Sequence, residues 1–196
     1  MLCFWCDFVD NTSFKSDTTA VTQLVEKFLE VISNQKHAES DMVKHTVAYG
    51  LGAFGFVLPR ENFQPFLARA CGMIKGITMR DAAFAEENME LTENAMGALA
   101  KLAYKHMDGT NVTEADLAGV FSFFPFKQDE CECQTTHRIF LEQIGDSASV
   151  IHSAAVKPAA QEALAKIRSR VAEESPNADV KILSFASKQT LASVNF

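Results

Sequence analysis

Residues 92–106, TENAMGALAKLAYKH, decide how the rest of the chain is read. Ala95, Met96, Leu99, Leu102 and Ala103 fall at helical spacing and form a broad apolar stripe, with Thr92 placed as N-cap and Glu93 in the first turn. Lys101 and Lys105 are expected to face away from that stripe. Relatives of the pattern recur: residues 45–56 (HTVAYGLGAFGF) lie about 48 positions earlier, residues 136–144 (THRIFLEQI) about 42 later, and residues 180–192 (VKILSFASKQTLA) about 46 beyond those. A helix that is apolar on more than one side must be covered by neighbours, and stacked copies of the same unit supply that cover.

A recurrence of about 42–48 residues is the scale of HEAT and armadillo helical repeats. The expected fold is therefore all-α, a right-handed HEAT/armadillo-like α-α superhelix of about four helical pairs, with residues 1–196 forming a single array. Working outward, helices are expected over residues 17–33, over 42–56 with Asp41 as cap, and over 63–77 with Asn62 as cap and Pro65 in the first turn. Residues 34–40 read as a loop, and an extra helical turn is expected across 80–89. Gly109 is placed to close the helix over 92–106, and Thr113 to cap a short segment reaching Phe126. Further helices end near Ile144, run from Lys157 with Pro158 at the start, and span 178–194. Residues 2–9 read as the tail of a buried helix that begins abruptly, so a preceding repeat is expected to be missing, leaving Phe4, Trp5 or Phe8 partly uncovered. No stretch alternates long enough to make a sheet.

With 47% hydrophobic and 22% charged residues, the composition is that of a folded globular chain. A net charge of −7 argues against nonspecific nucleic-acid binding, which needs a basic footprint, and favours a basic protein partner. Five irregularly spaced cysteines suit a reducing compartment better than a disulfide framework. The apolar N-terminus carries Asp7 and Asp10 and lacks a basic n-region, so it makes a poor signal peptide. The longest apolar run, residues 47–59, is too short to span a bilayer.

Motifs that would carry chemistry lack their contexts. Cys3 and Cys6 have CxxC spacing but neither a preceding strand nor a second ligand pair. Cys131, Cys133 and His137 cannot all converge from one helix, because only Cys133 and His137 share a face. Gly50, Gly52 and Gly55 have GxGxxG positions, yet they interrupt a helical pattern where a dinucleotide site needs a strand, so they read as close-packing positions. No P-loop, nucleophile elbow or HExxH pair is present, and no catalytic residue, cofactor or metal is expected.

Acids recur at two successive helix starts. Asp81, Glu86, Glu87, Glu90 and Glu93 precede or open the helix over 92–106, and Asp129, Glu130 and Glu132 stand one repeat later. Acids favour helix N-termini on dipole grounds alone. If the inner helices line a concave face, Glu86, Glu87, Glu90, Asp129, Glu130 and Glu132 would form a ladder for a basic partner.

Four segments, in order, resemble the importin-β (karyopherin-β) superfamily of nuclear transport receptors, most closely the C-terminal repeats of its importin-5 branch. They are AYGLG at 48–52, NFQPF at 62–66, TENAMGALAK at 92–101 and FSFFPFKQDE at 121–130. Phe121, Phe123 and Phe124 depart from the family's tryptophan and leucine, Cys131 and Cys133 from its acids and alanine, and the likeness stops near Ile144. It implies a non-catalytic fragment of a nuclear import receptor, found in cytoplasm and nucleus, that binds protein cargo with basic segments and nucleoporin Phe-Gly repeats. The family's main Ran-GTP surface lies in N-terminal repeats, so tight Ran-GTP binding is not expected of this chain. The competing reading is a HEAT-repeat scaffold for assembling a protein complex.

Overall fold

The computed structural model describes residues 5, 6, 8, 9, 12–173 and 191–196, and among them every regular element is helical. The main helices are α1 (Thr18–Ser33), α2 (Asp41–Val57), α3 (Arg60–Thr78), α4 (Met89–His106), α5 (Glu114–Phe123), α6 (Glu130–Gly145) and α7 (Lys157–Glu173). The helix expected over 178–194 falls mostly outside the described residues, as does Cys3. The chain divides into two compact units, Met1–Val112 and Thr113–Phe196.

In the first unit α1 packs on both α2 and α3, α2 packs along α4, and α3 packs on α4. Neighbours in space are thus alternate as well as successive helices, which lets each amphipathic stripe find two partners. The α2–α4 seam is closest at Gly52: a Cβ there would stand 2.8 Å from Ala98 Cα and 2.9 Å from Ala98 Cβ. On the other side of α2, Phe54 meets Phe28 of α1 edge to face at 4.9 Å. Close packing therefore outweighs the helix propensity lost at glycine. In the second unit α5 packs along α7, and Phe121, Phe124 and Phe140 form a buried aromatic knot with centroids 4.8–5.4 Å apart.

Several helix ends differ from expectation. Thr92 is not an N-cap: α4 starts at Met89, and Thr92 is buried in its second turn, its hydroxyl donating to the Ala83 carbonyl. The helix α3 starts at Arg60, immediately after Pro59, so Pro65 lies inside it. Residues 34–40 are not purely loop, since Asn34 caps a one-turn helix, Gln35–Ala38. The turn expected across 80–89 is the 3-10 helix Glu86–Asn88. Gly109 does not cap α4, which ends at His106; with φ of +73° it turns the following loop instead. Thr113 caps α5 with a full capping box, its hydroxyl accepting from Asp116 N–H while Asp116 accepts from Thr113 N–H at 2.8 Å. Lys101 is buried rather than solvent-facing, and its ammonium lies 5.3 Å from the centroid of the Tyr49 ring. Among the described residues no helix is long and apolar enough to cross a membrane.

Candidate functional site

The acids of the first set sit on a pinned turn. Arg80 donates to the carbonyls of Ile77 (2.6 Å) and Asn88 (3.4 Å), and Asn88 donates from its side chain to Ala82 O at 3.0 Å. The Thr92 hydroxyl holds Ala83 from inside. Ala82 takes a left-handed φ of 54°, a conformation these contacts impose on a residue with a Cβ. Glu86 and Glu87 project from this turn into solvent, and the Glu90 side chain, 66% exposed, lies 3.7 Å from His45 Nε2 in the first turn of α4. Asn94 fixes His45, its amide nitrogen standing 2.9 Å from Nε2. Glu86, Glu87 and Glu90 are therefore solvent-accessible charges on a backbone held from both sides.

The second set is arranged differently. Asp129 is spent as the α6 N-cap, accepting from Glu132 N–H at 2.9 Å. Glu132 is only 1% exposed and accepts from the Thr136 hydroxyl at 2.9 Å, so it does not present the carboxylate that a ladder for a basic partner requires. Position i+3 from the cap turns Glu132 inward onto the helix's own packed face. Glu130 is the first residue of α6, and its side chain lies outside the described residues. Glu93, also grouped with the acids by sequence, is buried inside α4.

Of the cluster Cys131, Cys133 and His137, the last two are core, and the Cys131 side chain lies outside the described residues. Cys133 and His137 are buried, and His137 Nε2 accepts the Phe126 backbone N–H at 3.2 Å while its ring packs 4.8 Å from Phe124. Among the described residues no group of three or more His, Cys, Asp or Glu is placed to hold a metal ion.

A further feature lies between α1 and α3, away from the acids and the cysteines. An apolar groove of about 200 Å³ is lined by Ile32 of α1 and Met73, Gly76 and Ile77 of α3, with Lys44 and Arg80 completing its wall. Gly76 opens it, because nothing lies within 4 Å of where its Cβ would be. The signal available was a small residue within the i, i+3, i+4 set 73, 76, 77 on α3, which leaves a notch in an apolar stripe. No family model and no solved structure significantly matches the chain.

Proposed function

We propose that the chain is a non-catalytic binding scaffold of HEAT-like helical pairs, part of an importin-β-type receptor that carries protein cargo between cytoplasm and nucleus. The groove between α1 and α3 carries this reading. The two helices are alternate members of the chain packed side by side, and their notch is sized for one apolar side chain with polar walls around it. A Phe-Gly segment of a nucleoporin offers such a side chain on a flexible, weakly charged backbone. The helix starts Asp41, Met89 and Glu130 of α2, α4 and α6, 48 and 41 residues apart, support the repeat reading. The exposed Glu86, Glu87 and Glu90 suit the basic cargo segment that the family resemblance implies.

The test is capture of the full chain on immobilised nucleoporin Phe-Gly fragments, compared with Gly76→Leu. Leucine at 76 enters open space and fills the notch, so the variant should fold normally and lose most capture. Capture that survives the substitution would move the Phe-Gly site elsewhere. Absence of any capture by the parent chain would favour a HEAT-repeat scaffold for complex assembly.

A further inference from the structure

We propose that a second surface, where α2 and α4 end, docks an acidic peptide segment bearing aromatic or aliphatic side chains. Phe56 and Tyr104 lie 6.1 Å apart with rings tilted by 33°, and the Lys105 ammonium stands 5.4 Å from the Phe56 ring and 5.5 Å from the Tyr104 ring. Tyr104 is 39% exposed, one of four large apolar or aromatic side chains left open among the described residues, and Lys105 is exposed beside it. Arg60, exposed at the start of α3, reaches the same edge by donating to Met107 O at 3.2 Å.

Charge selects the occupant. The chain carries −7 overall, yet neither Lys105 nor Arg60 has a carboxylate within ion-pair distance among the described residues. The nearby Asp108 is not available to them, since its Oδ1 accepts three backbone N–H groups and its Oδ2 the Asn111 amide. Two cations beside the exposed Tyr104 ring and the half-buried Phe56 ring therefore complement carboxylates flanking an apolar side chain, while a basic segment would be repelled. Single-stranded nucleic acid would also use rings and cations, but tracking its phosphate backbone needs an extended basic groove, and among the described residues only Lys105 and Arg60 stand at this edge. The net charge of −7 opposes both polyanions at long range, so the local pair must carry the attraction for a short acidic segment. This surface is separate from the groove lined by Ile32 and Met73 and does not depend on Phe-Gly binding.

The experiment is fluorescence anisotropy of the full chain with a labelled peptide alternating Glu or Asp with Phe, beside the same peptide with Lys at every acidic position and an oligothymidylate. The acidic peptide should bind, weaken with added salt, and lose about tenfold in affinity on Lys105→Glu and on Tyr104→Ser. Both positions are exposed, so circular dichroism should be unchanged. Gly76→Leu should leave this binding intact. No binding of the acidic peptide, equal binding of the lysine peptide, preferential binding of oligothymidylate, or indifference to Lys105→Glu would each overturn the proposal.

Discussion

His106 ends α4 in a setting that disfavours its charged form. It is 1% exposed, its ring stacks on Phe63 at 4.9 Å, and Nε2 donates to Gly55 O at 2.6 Å, leaving Nδ1 without a partner. Burial pushes its pKa below the ordinary value, the Gly55 bond acts the other way, and the charges of Arg60 and Lys105 add to the lowering. The unfolded chain takes up a proton near pH 6.5 that the folded chain resists, so stability falls as pH drops through 6.5. The His106 part of that slope cannot exceed about 1.4 kcal/mol per pH unit. Urea unfolding at pH 7.5 and 5.5 should show a smaller loss for His106→Gln, whose amide can still donate to Gly55, than for the parent. Asp108 has the opposite sign. Burial raises its pKa, but the Asn111 side chain and the N–H groups of residues 110–112 outweigh this and hold it at about 2. Its contribution is complete above pH 3.8 and is lost as pH falls towards 2. At pH 7, Asp108→Ala should cost about 1–2 kcal/mol in urea unfolding, and the variant should lose less stability than the parent on acidification.

At the scale of elements, α2 and α3 use glycine for opposite ends. At Gly52 an added methyl meets the backbone of α4, whereas at Gly72 of α3 nothing lies within 4 Å. Gly52→Ala should therefore destabilise by about 1–3 kcal/mol through overpacking, despite better helix propensity. Gly72→Ala should stabilise by about 0.5–1 kcal/mol. Chemical denaturation of the two variants checks both signs. The apolar stripes made α1, α2, α3, α4 and α7 legible in the sequence to within a few residues, because 3.6-residue periodicity survives wherever one face is buried. Ends were less legible where long-range contacts chose them. Thr92 looks like a cap only until Ala83 is seen folding back onto its hydroxyl, and Lys101 looks solvated until the Tyr49 ring is placed beneath it. The acids of the candidate site had the same fate: charge predicts exposure for Glu86, Glu87 and Glu90, but the turn geometry after Asp129 put Glu132 inside. The groove at Gly76 needed α1 beside α3, a juxtaposition that no local pattern encodes.

For the whole molecule, the proposed receptor reading separates two partners. Ran-GTP should bind this chain weakly, because the segments resembling the family correspond to C-terminal repeats; a sub-micromolar Kd by calorimetry would count against that reading. A basic cargo-like peptide should instead bind through the pinned turn of Glu86 and Glu87 with Glu90 beside it. Each exposed carboxylate contributes only about 0–1 kcal/mol, so the three must act together and the affinity must fall as salt rises. Holding the turn through Arg80, Asn88 and Thr92 reduces the ordering cost on binding. Glu86→Lys with Glu87→Lys should therefore weaken a lysine- and arginine-rich peptide by both lost attraction and new repulsion, while Glu132→Gln, at a buried position, should act on stability rather than on that affinity. Titration at low ionic strength decides it. Unchanged affinity in the double reversal would reduce the turn to a solvated helix start, stabilised by the dipole of α4 and without a role in recognition.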